Sequence, residues 1–109
     1  MTPVEVLLTE DAERDLEDLF SHIAMHDSPR SAEHVLSKII SIADSLKHTP
    51  ARGTQPRELH GIGNGDYRQV FFKPYRLIYR VIDERVVIFL IADGRRDLQS
   101  LLARRLLAG

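Results

Sequence analysis

The sequence predicts an α+β fold in which one sheet carries an antiparallel α-hairpin, with elements in the order β-α-α-β-β-β-α. Three observations predict it. A short alternating stretch opens the chain, two long segments with three- and four-residue apolar spacing follow, and from Tyr67 the pattern becomes aromatic and β-branched. The length of 109 residues suits a single domain spanning residues 1–109, and a 43% hydrophobic share is ordinary for a folded chain.

Residues 4–8 read as the first strand, with Val4, Val6 and Leu8 on one face and Leu7 on the other. Thr9 offers an N-cap, and Glu10, Asp11 and Glu13 place negative charge in the first helical turn, where the helix dipole favours it. Ala12, Leu16, Leu19, Phe20 and Ile23 then mark an amphipathic helix over about 10–26. Ser28-Pro29 restarts the chain as N-cap and first helical residue. Ala32, Val35, Leu36, Ile39, Ile40, Ala43 and Leu46 form a wide apolar stripe, so the second helix runs over about 29–47 and stops before Pro50. So short a link between two helices demands an antiparallel hairpin.

Residues 48–66 carry Pro50, Gly53, Pro56, Gly61, Gly63 and Gly65 and read as one long loop. Tyr67–Lys73 is a strand interrupted by Pro74, and Tyr75–Ile82 alternates cleanly. Asp83-Glu84 makes a tight turn. Arg85–Ala92 is apolar on both faces, as a central strand is. These three strands form an antiparallel meander. Leu98, Leu101, Leu102 and Leu106 predict a last helix over about 96–107.

Composition removes several chemistries. The absence of cysteine excludes a disulfide framework, a thiol nucleophile and any cysteine-ligated metal site. No apolar run reaches the ~20 residues a membrane span needs. The start of the chain lacks the layout of a secretory signal, so the expected location is the cytoplasm, with no membrane partner. Gly61-Ile62-Gly63-Asn64-Gly65 precedes a strand rather than following one, which suits a flexible turn and not a phosphate cradle. His22 and His26 are four apart on a helix but lack the glutamate of a zinc-protease motif, and they read as a solvent-facing pair. No metal or other cofactor is expected.

Net charge is −1, yet residues 1–55 hold five basic and ten acidic side chains, whereas residues 56–109 hold ten basic and six acidic. Nine of those ten bases are arginine, Lys73 being the exception. Arg68, Arg76 and Arg80 fall on neighbouring strands, with Arg76 and Arg80 on one face, and Arg95-Arg96 follow the last strand. Guanidinium groups grip phosphates and carboxylates in a fork, so these five form the candidate binding set. The competing role is local pairing, for instance of Arg80 with Asp83 or Glu84.

Three segments resemble the ParE/RelE superfamily of bacterial toxin–antitoxin toxins. They are Leu8-Thr9-Glu10-Asp11-Ala12-Glu13-Arg14-Asp15-Leu16; Pro50-Ala51-Arg52-Gly53 with Glu58-Leu59; and Pro74-Tyr75-Arg76-Leu77-Ile78-Tyr79-Arg80-Val81 with Val86-Val87-Ile88 and Asp93-Gly94-Arg95-Arg96-Asp97. The third is the most specific. The resemblance implies one of two activities. RelE-like members are ribosome-dependent messenger ribonucleases that use basic residues on the sheet and a tyrosine or histidine at the end of the last strand or beyond it. ParE-like members bind DNA gyrase and trap cleaved DNA. Arg76 matches the RelE-like sheet arginine, but no tyrosine follows Tyr79 and no histidine follows His60. Glu58 and His60, in the loop, are the remaining candidate bases. No catalytic residue is carried over, and the ParE-like branch is the expectation, with the ribonuclease as alternative.

The resemblance also implies a cognate antitoxin, ParD-like or similar, and a possible toxin dimer within the antitoxin complex. It does not imply sequence-specific DNA binding by this chain alone. An amphipathic antitoxin helix would lie between the hairpin and the sheet, against Leu16, Leu19, Phe20 and Ile23 together with Leu98, Leu101 and Leu102.

Overall fold

β1 (Glu5–Leu8) passes through a single residue, Thr9, into α1 (Glu10–His26). The Thr9 hydroxyl oxygen accepts the Ala12 N–H at 3.1 Å, which supplies one of the bonds the first helical turn otherwise lacks. At the other end the Asp27 N–H donates to the Ile23 carbonyl. Ser28 caps α2 (Pro29–Ser45) in the same manner, its Oγ accepting the Ser31 N–H at 3.0 Å. The second helix therefore ends two residues short of the predicted stop, and Leu46 closes it while remaining fully buried. The computed structural model describes residues 3–59 and 66–107; His60, the glycine run Gly61–Gly65 read above as a flexible turn, and Ala108 and Gly109 lie outside the described residues.

Among the described residues, the loop after α2 holds one 3₁₀ turn, Arg57–Leu59, and then the meander follows: β2 (Tyr67–Phe72), β3 (Tyr75–Ile82) and β4 (Arg85–Asp93). Its pairings are antiparallel as expected. β1 adds beside β4 in parallel, giving the order β1-β4-β3-β2 and a mixed sheet. β4 is thus central, which its two-sided apolar pattern requires, and Val86, Ile88, Leu90, Ile91 and Ala92 are all buried. The β3–β4 register shifts between Ile78 and Tyr79, leaving Phe89 as the extra residue of a bulge. Asp83 and Glu84 form the β3–β4 turn with φ of 50° and 62°, the left-handed pair that a two-residue hairpin loop demands.

The two faces of the sheet bury different helices. Val70, Leu77, Tyr79, Val86, Ile88 and Ile91 pack against Ala12, Ile39, Ala43 and Leu46 of the hairpin. Ile78, Leu90 and Ala92 face the other way and pack against Leu59 and against Leu98 and Leu102 of α3 (Leu98–Leu107). The last helix starts two residues later than predicted and lies on the opposite face from the hairpin. Among the described residues no helix is long and apolar enough to cross a membrane.

Candidate functional site

On the face away from the hairpin, strand alternation presents Tyr67, Gln69 and Phe71 of β2 beside Arg80, Ile78 and Arg76 of β3. α3 and the 3₁₀ turn cover part of this face. Beside them lies an open cleft of about 490 Å³, walled by Arg57, Glu58, Gln69, Phe71, Lys73, Pro74, Arg76, Gly94 and Arg95.

Arg76 forms its floor. The guanidinium meets the Glu58 carboxylate in a fork, Nη1 to Oε2 at 2.7 Å and Nη2 to Oε1 at 2.9 Å. The Gln69 side-chain oxygen accepts from Nε at 2.9 Å and also from Nη2. The guanidinium also lies over the Phe71 ring, 5.8 Å from its centroid. The Arg76 hydrogen bonds hold the Glu58 carboxyl down to about 2, well below its ordinary value of 4.5. Gly94 is required where the chain leaves β4, since a Cβ there would lie 2.9 Å from Arg76 Cδ and 3.1 Å from the Pro74 carbonyl oxygen.

Arg95 opens onto the same cleft but folds back on Asp93, whose Oδ1 accepts both its backbone N–H and its Nε at 2.9 Å. These bonds hold the Asp93 carboxyl below its ordinary range. Burial, reinforced by the Asp93 charge, pushes the neighbouring Tyr75 hydroxyl up.

The five predicted arginines therefore do not form one cluster. Arg76 and Arg95 share the cleft. Arg80 lies on the same face further along β3, over the Tyr67 ring at 5.7 Å and 3.5 Å from Asp66. It pairs with neither Asp83 nor Glu84, because β3 sets Arg80 opposite Tyr67 and so brings Asp66 alongside. Arg68 points to the hairpin side and donates to the Ala51 and Gly53 carbonyls at 3.1 and 2.8 Å, which pins the loop. Arg96 is exposed.

The expected groove is also corrected. Leu16, Leu19, Phe20 and Ile23 lie between α1 and α2, whereas Leu98, Leu101 and Leu102 pack on the opposite face of the sheet. The turn after β4 sends the chain over to that face, so the two groups never line one cleft. The hairpin carries its own cleft of about 580 Å³, lined by Leu16, Phe20 and Leu36 and rimmed by Glu13, Glu17 and Ser21. Leu16 also borders a second cleft of about 230 Å³, where Val6 and Leu8 face Ile40 and Asp44. Leu36 and Ile40 are the groove residues sequence reasoning missed. The signal was the width of the second helix's stripe, which exceeds what one packing face uses: Ile39 is buried while Ile40 is 52% exposed.

A third polar constellation had no sequence signal. β1 pairs with β4 only as far as Ile88, so the next residues of β4 lack a strand on that side. Asp15 of α1 accepts the Ile91 N–H at 3.0 Å. Arg105 of α3 donates to the Phe89 carbonyl at 3.0 Å and to Asp15 at 2.7 and 3.1 Å. His22 and His26 are exposed with ring centroids 4.4 Å apart, and among the described residues no group of three or more metal-ligating side chains converges.

With this geometry in place, comparison with known proteins is informative. The family model described as the ParE toxin of type II toxin–antitoxin systems, parDE, matches residues 6–98. Toxin ParE3 of Caulobacter vibrioides is 28% identical over 100 residues, covering 92% of this chain and 96% of that protein. A structure of the chromosomal ParDE system from P. aeruginosa superposes with a TM-score of 0.67 at 17% identity, covering 83% of this chain and 95% of the other. The toxin–antitoxin complex RelBE2 from Mycobacterium tuberculosis gives 0.60 at 28% identity over 85% and 93% of the two chains. An arginine-to-alanine mutant of E. coli toxin RelE in the free state gives 0.59 at 16% identity, covering 97% of each. The first and third of these structures speak to the fold alone.

Proposed function

The chain belongs to the ParE toxin family of type II toxin–antitoxin systems, and from that premise we propose that it arrests growth by binding DNA gyrase rather than by cutting messenger RNA. The observation that carries this reading is the engagement of Arg76. Its guanidinium is shared between Glu58 and Gln69, so the residue that matches the RelE-like sheet arginine is occupied by neighbours that orient it, and among the described residues no acid–base pair is set beside it. Glu58 is a poor base at neutral pH, because the Arg76 hydrogen bonds lower its affinity for a proton. Tyr75 is a poor one too, since burial favours its neutral form. Arg76 retains a binding role within this set, but the groups around it are not poised for proton transfer.

A cognate antitoxin neutralises the toxin by laying an amphipathic helix on the hairpin. Leu16, Phe20, Leu36 and Ile40 would receive its apolar face, and Glu13 and Glu17 on the rim favour basic residues along its flank, whereas Asp44 is already paired with Lys47. Membership of the ParE toxin family and the likeness to the RelBE2 toxin–antitoxin complex support an antitoxin partner for this chain.

Purified protein at micromolar concentration is expected to stop gyrase supercoiling and to accumulate cleaved DNA. Unimpaired supercoiling would overturn the gyrase reading. Codon-phased messenger cuts on expression, lost in Arg76→Ala, would replace it with the ribonuclease.

A further inference from the structure

The cleft on the second sheet face holds more positive charge than its own partners neutralise. Arg57, Lys73, Arg76 and Arg95 surround it; Glu58 answers Arg76 and Asp93 answers Arg95, which leaves the charges of Arg57 and Lys73 in excess among the described residues. Arg57 and Lys73 are exposed at its rim, and Phe71, 46% exposed, adds an apolar wall with Pro74.

The way Glu58 is delivered matters. It does not come from the sheet but from a single 3₁₀ turn, Arg57–Leu59. Leu59 anchors that turn, packing with Ile78, Leu98 and Leu102. The Glu58 side chain can therefore rotate off Arg76 without unpairing a strand or exposing the anchor. When it leaves, an arginine fork remains on the cleft floor, already oriented by Gln69 and by the Phe71 ring.

We propose that this cleft is a seat for an acidic segment of a partner protein, and that Glu58 is its internal competitor. A partner carboxylate takes the Arg76 fork in place of Glu58. Arg57 and Lys73 hold flanking acidic side chains, and the Phe71–Pro74 wall receives an apolar residue between them. The seat is already shaped to a carboxylate, since it binds one in a fork at 2.7 and 2.9 Å. A long polyanion suits the molecule less well, because the chain is net negative and residues 1–55 hold ten acidic side chains against five basic ones. This inference does not depend on the toxin's target, so its test and the supercoiling assay fail separately.

The test uses fluorescence anisotropy with the full chain and a labelled Glu-Leu-Glu-Phe-Glu-Leu-Glu peptide, alongside a labelled single-stranded RNA 12-mer at the same ionic strength. The peptide is expected to bind the wild type and to bind Glu58→Gln about tenfold more tightly, since the competitor has lost its charge. The double variant Arg57→Glu/Lys73→Glu, at exposed positions that leave the fold intact, is expected to bind at least about tenfold more weakly. Equal affinity of wild type and Glu58→Gln removes the competitor, and failure of the peptide to bind either protein removes the seat. Tighter binding of the RNA, with the same dependence on Arg57 and Lys73, reassigns the cleft to nucleic acid.

Discussion

Tyr79 is fully buried, yet its hydroxyl is not wasted. It accepts the Gly53 N–H at 2.9 Å and donates to the Pro50 carbonyl at 2.7 Å, so one side chain closes the loop after α2 onto β3. Gly53 fits there only without a side chain: a Cβ would lie 2.7 Å from the Gln69 carbonyl oxygen and 2.7 Å from the Tyr79 hydroxyl. Tyr79→Phe keeps the ring and leaves a buried N–H unpaired, which should cost about 1–3 kcal/mol, read as a lower urea midpoint with unchanged slope. An unaltered midpoint would mean the loop does not depend on this hydroxyl. Alternation along residues 75–82 sets Tyr79 on one face with Tyr75 and Leu77, and no more than that. Its partners lie 26 and 29 residues away, so nothing local revealed them.

Glu58 illustrates a second limit at this scale. In the sequence it stood as a candidate base; in the fold it is the partner of Arg76. Its folded pKa, about 2, is below the ordinary 4.5, so the ionised form is the one the fold stabilises. That contribution is complete above the ordinary value and is lost as pH falls from about 4.5 toward 2. Urea titrations of wild type and Glu58→Gln between pH 7 and 2.5 should therefore converge as the medium is acidified. A gap that stays constant across this range would show that the charge of Glu58 contributes nothing to stability.

At the scale of elements, order and type were legible because each has a local cause. Thr9 and Ser28 cap their helices, and the apolar runs change period at Tyr67. The face on which α3 lands was not. A leucine stripe requires a helix to be buried somewhere, but either sheet face satisfies it, and the turn after β4 decides. What holds α3 is polar as well as apolar. Arg105 reaches Asp15 and the Phe89 carbonyl, and Asp15 closes the Ile91 N–H, so three elements meet over the stretch of β4 that β1 leaves uncovered. Asp15→Ala removes the common acceptor, leaves the Ile91 amide unpaired and leaves Arg105 with only the Phe89 carbonyl and the more distant Asp11 at 3.7 Å, at about 2 kcal/mol. Hydrogen exchange should speed at the Ile91 amide and throughout α3. If α3 keeps its protection, the leucines alone hold it.

For the whole molecule, the near-neutral charge of the chain is the sum of two unlike surfaces. Residues 1–55 hold ten acidic side chains against five basic ones, and Glu13 and Glu17 rim the larger of the hairpin clefts. The opposite face of the sheet carries the arginine cleft. The asymmetry was readable from counts, whereas its division between two faces was not, because the face of each arginine depends on strand register. If the antitoxin helix lies on the hairpin as proposed, a charge placed on that surface should separate neutralisation from toxicity. Ile40 is the suitable position, being 52% exposed and at the edge of the groove rather than in the core. Ile40→Asp should leave the thermal midpoint within about 4 °C, since exposed substitutions seldom shift stability by more than ~0.5 kcal/mol. Against a docked apolar helix it would bury a carboxylate where an apolar side chain seats, weakening the complex by about 2 kcal/mol or more. Cells expressing this variant should stop growing even with the antitoxin co-expressed at a level that rescues wild type. Full rescue would place the antitoxin elsewhere, and the sheet cleft with Arg57 and Lys73 would be the surface to substitute next.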